Sequence, residues 1–203
     1  MTTFLEMMGI EDDDYIDGLW NQTYTGKKFH YIHIEQNEID IVDIARSLSL
    51  QCRYAGHITQ FYSVAEHSVR AAREMPEEIA LWGLLHDAAE AYTTDIVRPL
   101  KHLLKKMWPG FALWEEAVEA HVLKSLGLDF EKMPKDAVKE IDTIMLLTEK
   151  RDLLNKSKFP WNEEQCADTT LPMLREKIVP WAWEEAEHQF LKAYEYYSKK
   201  FSS

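Results

Sequence analysis

"LLHDAAEAYTTD", Leu84–Asp95, sets His86 and Asp87 side by side on a segment whose leucines and alanines read as a buried helix, and follows them with Glu90 and Asp95. Burying an unpaired charge costs several kcal/mol, so this cluster either faces solvent or is held by a partner. His86 and Glu90 are four apart and Asp87 and Glu90 three apart, which places them on adjoining sides of one helical turn. The doublet can then meet one ion at the helix edge. Two ligands rarely hold a divalent metal, so two more are expected from other helices.

Working outward, the periodicity is helical, with glycines and prolines near segment ends. Helices are expected at Asp40–Leu50, at Ser63–Glu74 with a capping-box spacing between Ser63 and Glu66, and at Glu78–Tyr92, which carries the doublet. Further helices are expected at Phe111–Leu126, stopped by Gly127, at Pro134–Asn155 and at Trp181–Phe201. Residues 1–38 differ: "NQTYTGKKFHYIHIEQNEID" is rich in Tyr, Thr and Ile and suits a short β-hairpin. The reading is all-α, one domain over 1–203, with a core at 39–154 between an N-terminal extension (1–38) and a C-terminal helical part (155–203).

Composition narrows the function. At 203 residues a compact fold buries roughly 70% of its unfolded surface. A formal charge of -12 argues against gripping a nucleic-acid backbone. Cys52 and Cys166 form no CxxC pair and read as buried small hydrophobes in a reducing compartment. "MTTFLEMMGIEDDD" lacks the basic start and apolar run of a signal peptide, and no 18-residue apolar stretch occurs, so a cytoplasmic protein without a membrane segment is expected.

Two residues fit as the missing ligands. His67 stands among small residues in "SVAEHSVRAA", where another helix can approach closely. Asp142 in "VKEIDTIMLLTEK" lies beside Ile141 and Met145 on the apolar stripe, where an acid needs a partner. Two histidines and two carboxylates leave positions open on an ion for water and a phosphate oxygen, which suits Mn, Co, Mg, Fe or, at lower coordination, Zn. His30, His33, His102, His121 and His188 lack such company and read as surface or structural residues.

His67, the His86-Asp87 doublet and the distant Asp142 resemble the H…HD…D pattern of the HD phosphohydrolase superfamily. "AEHS" followed by "LLHDAAEAYTTDIVRPLK" resembles its 5'-deoxynucleotidase branch, whose signature adds Glu and Asp four and nine residues after the second His, the places of Glu90 and Asp95. The resemblance covers roughly Ile39 to Leu154. It implies an HD-domain helical bundle, one divalent ion on the four ligands, and release of phosphate from nucleoside monophosphates. Close cousins cleave triphosphates.

Glu90 is then placed to orient or deprotonate a metal-bound water and Asp95 to protonate the leaving O5' oxygen, a division that the resemblance implies and that the residues alone leave open between the two. Phosphate contacts are expected from Arg53 first and His57 second, both shortly before His67, with Arg98 and Lys101 as further phosphate or ribose contacts. Tyr54, Phe61, Tyr62 and Tyr92 read as core or base-stacking groups. The tryptophans, Trp114, Trp161, Trp181 and Trp183 among them, read as filling between the last helices and the core, or a subunit contact in a homo-oligomer of two or more chains. The expected partner is a small nucleotide, with no nucleic-acid polymer and no membrane. A dNTP triphosphohydrolase is the alternative, because metal, water and leaving oxygen would be shared. A non-catalytic nucleotide sensor should have lost Glu90, Asp95 or a ligand, and all six positions are intact. Alarmone hydrolases carry their acids at another spacing, and the cyclic-dinucleotide branch needs a GYP element absent here.

Overall fold

The computed structural model describes residues 18–162, 165–166 and 168–201. The reading of "MTTFLEMMGIEDDD" lies outside the described residues. Within them the chain is an all-α bundle preceded by a two-stranded antiparallel hairpin, β1 (Trp20–Gln22) and β2 (Lys28–His30), with Asn21 opposite Phe29. The expected hairpin is present. Asn37 extends its edge: Oδ1 accepts from the His30 amide at 2.6 Å and Nδ2 donates to the His30 carbonyl at 3.0 Å. No helix among the described residues is long and apolar enough to cross a membrane.

Local chemistry sets the helix ends. Helix α1 (Ile41–Leu50) is capped by Asp40, whose carboxylate accepts from the Val42 amide at 2.9 Å. Helix α2 (Val64–Glu74) is capped by Ser63 Oγ, which accepts from Glu66 N at 3.1 Å. The reciprocal half of the capping box is not made. Glu66 instead accepts from Arg70 at 2.8 Å and from the Trp181 amide at 2.8 Å, tying the C-terminal segment to α2.

The single helix expected over Glu78–Tyr92 is divided. Helix α3 (Ala80–Leu85) and the short α4 (Glu90–Thr93) flank a tighter turn at 86–89, where the Ala88 amide bonds Leu85 O and the Glu90 amide bonds Asp87 O. These i→i+3 bonds wind the backbone closer to a 3-10 geometry around the doublet. A helix absent from the sequence reading, α5 (Arg98–Met107), follows with Pro99 in its first turn and no buried residue. Helix α6 (Pro109–Ser125) ends in a Schellman motif: Gly127 takes φ +84°, its amide bonds Lys124 O, and the Leu128 amide bonds Leu123 O. Helix α7 (Lys135–Leu153) and helix α8 (Trp183–Phe201) complete the bundle.

The core lies where α1, α2, α3 and α8 meet, around Ile44, Leu48, Val69, Leu84, Leu85 and Phe190. Tyr62, Ile141, Met145 and Leu153 form a second cluster under α7. Two polar side chains at the C-terminal end of α7 hold the 174–178 segment: Arg151 donates to Leu174 O and Glu176 O, and Asp152 accepts from the Ile178 amide at 2.8 Å.

Candidate metal centre

The site exists because α2 and α3 pack closely. A Cβ on Gly83 would displace the flexible Met75 side chain and sit 3.3 Å from Ala72 Cα, so glycine allows the helices their close approach without a shift. His67 on α2 and His86 just beyond α3 are thereby brought face to face. Helix α7 packs against both and contributes Asp142 and, two turns on, Glu149. A fourth piece comes from the turn Arg53–Gly56, where Tyr54 (φ 58°, ψ 29°) and Ala55 (φ 50°, ψ 31°) hold left-handed backbone. Non-glycine residues reach that region at a cost, and here it delivers Arg53 and Tyr54 to the same face.

Among the described residues, His67, His86 and Asp142 offer ligand atoms within 4.8 Å of one another. His67 Nε2 lies 3.3 Å from His86 Nε2 and 3.3 Å from Asp142 Oδ1. Asp87 Oδ2 lies 3.2 Å from His86 Nε2 and 3.6 Å from His67 Nε2. The opposite ring nitrogens are already engaged: His67 Nδ1 meets Glu149 Oε1 at 2.6 Å, and His86 Nδ1 meets the Gly83 carbonyl at 2.8 Å. A carboxylate and a carbonyl only accept, so both Nδ1 atoms carry hydrogen, and each ring, once neutral, aims an Nε2 lone pair inward. The two ring nitrogens and the Asp142 carboxylate then converge, with the Asp87 carboxylate beside both rings. That arrangement demands positive charge, and the donor set suits a divalent cation.

The electrostatics express the same demand. Burial disfavours the His86 cation, but the charge and hydrogen bond of Asp87 outweigh it and push its pKa up to about 10. For His67, burial and the Arg53 charge oppose protonation, yet Glu149 and Asp142 together raise it. Burial would raise Asp87 as well, but His86, His67 and Arg53 hold its carboxyl well below the ordinary range.

Glu149 is the principal residue that the sequence reading missed. It is fully buried. It accepts from Arg53 Nε at 3.1 Å and from Tyr54 Oη at 2.5 Å, besides its bond to His67. This carboxylate therefore fixes the tautomer of His67 and the reach of Arg53 together. Arg53 also points Nη1 toward Asp87 Oδ2 at 3.5 Å.

The centre lies at one wall of a cavity of about 380 Å³. Arg53, Asp87, Glu90, Asp95, Arg98 and Lys101 all line it, as does Asp142. The structure does not bring His57 to this wall; it is exposed at the end of the Arg53–Gly56 turn. Glu90 is 8% exposed, and its Oε2 is buried without a hydrogen-bond partner among the described residues. Oε1 lies 3.3 Å from Lys101 Nζ, which also reaches Glu115 at 3.1 Å. Burial, with the charges of Asp87 and Asp95, raises the Glu90 pKa well above the ordinary carboxylate value. Burial raises Asp95 too, against the pull of Arg53. Tyr54, Lys139, Leu146, Trp161 and Gln165 are also part of the wall. Trp161, read from sequence as interface filling, is instead a cavity residue with Lys150 Nζ 4.4 Å over its ring. Trp181 does pack between the last helix and the core, with the Arg70 guanidinium 4.7 Å above it.

No family model matches the sequence. Over 132 residues the chain is 46% identical to the uncharacterized protein YfdR of Escherichia coli, a stretch that covers 65% of this chain and 71% of that protein. The chain belongs to the YfdR family. An uncharacterized protein of Rhodobacter capsulatus is 31% identical over 137 residues, 62% of this chain and 68% of its own length. A protein of Pasteurella multocida named a 5'-deoxynucleotidase is 30% identical over 86 residues, 40% of this chain and 43% of that protein.

Proposed function

We propose that the chain is an HD-type phosphohydrolase that cleaves the phosphate ester at the 5' oxygen of deoxynucleotides, with deoxynucleoside monophosphates as substrates. The observation that carries this reading is the convergence of His67, His86 and Asp142, with Asp87 beside both histidines, at the wall of a cavity that also holds Arg53, Glu90 and Asp95. The partial likeness to a protein named 5'-deoxynucleotidase supports the substrate class.

His67, His86, Asp87 and Asp142 would hold one divalent ion, with Mn, Co, Mg, Fe and Zn as candidates. When bound, such an ion lowers the pKa of a water and neutralises a phosphoryl oxygen. Arg53, held at two nitrogens by Glu149 and Asp87, presents its remaining N–H groups to the phosphate. Glu90 takes the proton of the attacking water. Asp95 gives a proton to the leaving O5', which would otherwise depart as a poor alkoxide. Lys101 keeps Glu90 in place by the contact at 3.3 Å.

A second reading, triphosphate release from a dNTP, is favoured by one feature. Arg98 Nε is buried without a partner among the described residues, and Lys139 stands exposed on the same cavity. These cations could receive distal phosphates. Incubation of the metal-supplemented protein with nucleoside mono-, di- and triphosphates, with both products identified, separates the readings. Inorganic phosphate from deoxynucleoside monophosphates alone is expected. Triphosphate release from a dNTP supports the second reading, and no hydrolysis of any nucleotide overturns both.

A further inference from the structure

Gln51, the residue that closes α1, is tied to the segment carrying Glu90 and Asp95 by both ends of its side-chain amide. Nε2 donates to the Glu90 carbonyl at 2.9 Å and to Ser47 Oγ at 3.0 Å, while Oε1 accepts from the Asp95 amide at 3.0 Å. Only this orientation of the carboxamide pairs each donor with an acceptor. Ser47, one turn earlier, donates its hydroxyl to the Ala91 carbonyl at 2.8 Å. Two side chains on one face of α1 thus grip the backbone at 90, 91 and 95.

Gln51 can act as a fixed point because its own backbone is held on both sides. Its amide bonds Ser47 O at 3.1 Å, and its carbonyl accepts from the Val64 amide at 3.1 Å. The gripped segment, by contrast, is strained. Thr94, between the two carboxylates, takes φ 69° and ψ 153°, a region open to glycine and costly for a β-branched residue. Such a conformation persists only where the surroundings over-determine it. The Gln51 amide bonds the residues on either side of the strained turn, across an interval that α4 alone spans with one bond, from the Thr94 amide to Glu90 O.

We infer that Gln51 is a positioning residue for the reaction: its carboxamide holds Glu90 and Asp95 at the separation their two proton transfers require. The inference rests on the reading of those carboxylates as the proton-transfer pair. Gln51 itself does not line the cavity. Its role is to keep the Thr94 turn closed, so that a group on α4 and a group beyond it address the same phosphate ester. A displacement of about 1 Å in such a group is enough to cost on the order of 100-fold in rate.

The test uses full-length protein with Mn or Co and 2'-deoxyadenosine 5'-monophosphate, comparing the parent with Gln51→Met, Gln51→Ala, Glu90→Ala and the double variant Gln51→Met with Thr94→Gly. Methionine keeps the volume and removes all three hydrogen bonds, so folding and metal content are retained. The expected result is a kcat lowered roughly 10- to 100-fold, with KM and bound metal unchanged, and partial recovery of kcat when Thr94→Gly relieves the strain that the clamp opposes. A purely structural role would lower folded protein and metal content and would not be rescued at Thr94. Gln51→Met and Gln51→Ala with parental kcat, beside an inactive Glu90→Ala, overturn the inference alone. An inactive parent, or full turnover in Glu90→Ala, overturns the reading of the site on which it rests.

Discussion

Glu149→Gln is the sharpest test of how the centre is built. Glutamine fills the same volume, so packing around this fully buried position is kept while the charge is removed. The parent carboxylate serves three donors: His67 Nδ1 at 2.6 Å, Tyr54 Oη at 2.5 Å and Arg53 Nε at 3.1 Å. The single amide oxygen can serve one of them well, and its NH2 group faces donors. Hydrogen bonds to charged groups contribute about 1.5 to 3 kcal/mol each, and removing one partner of a buried ion pair costs about 3 to 5 kcal/mol. Arg53 retains its weaker contact to Asp87 at 3.5 Å, so a loss of about 3 kcal/mol is expected, near the lower bound. For a chain of this size that corresponds to a fall in Tm of roughly 6 to 12 °C. His67 also loses the group that fixes its tautomer, and the affinity for a divalent ion should weaken roughly 10- to 100-fold. Chemical denaturation of the metal-free protein measures the first effect, and a metal titration followed by calorimetry measures the second. A variant matching the parent in both would refute the bridging role of Glu149.

Three further outcomes are expected. The purified parent should bind about one divalent ion per chain, and either His67→Ala or Asp87→Ala should abolish stoichiometric binding; full metal content in both variants, by elemental analysis, would remove the four-residue shell. Arg53→Lys should raise KM for a deoxynucleoside monophosphate by roughly 10- to 100-fold with little change in kcat, because lysine cannot span Glu149, Asp87 and a phosphate at once; steady-state kinetics showing an unchanged KM would remove Arg53 from substrate binding. Asp152→Asn should destabilise the protein by about 1 to 2 kcal/mol at neutral pH, since Asp152 takes hydrogen bonds from Arg151 and the Ile178 amide. The Arg151 hydrogen bonds hold the Asp152 pKa below the ordinary carboxylate value, so its contribution is complete above the unfolded pKa near 4 and fades as pH falls through the folded one; denaturation midpoints of parent and variant should converge in acid, and a gap that widens there would contradict the assignment.

What the sequence made legible was local. Asp40, Ser63 and Gly127 end their helices through bonds spanning two to five residues, and each was readable as a cap or stop. The hairpin and most helix ranges followed from the same short-range logic. Helix α5 was readable but overlooked: Leu100, Leu103, Leu104 and Met107 repeat at helical spacing behind Pro99, while its basic residues drew the reading toward a charged patch. The break at 86–89 was hidden, since a turn of i→i+3 bonds keeps the leucines and alanines on nearly the same face as a continuous helix.

The candidate site shows where that logic stops. Asp142 stood out as an acid on an apolar stripe that needed a partner, and its Oδ1 does lie 3.3 Å from His67 Nε2. Glu149 is seven residues further, two turns along the same helix, and the same argument applies to it with more force, because it is fully buried while the Asp142 side chain is 38% exposed. It went unnoticed because "TEKRD" surrounds it with Lys150, Arg151 and Asp152, and a run of charges reads as a solvated helix end. Its partners Arg53 and His67 are 96 and 82 residues away, a separation over which no local pattern reports. The energetic reason for an acid at 149 is thus the pairing itself: remove Arg53 and His67 from its surroundings, and burial alone would drive that carboxyl to its neutral form.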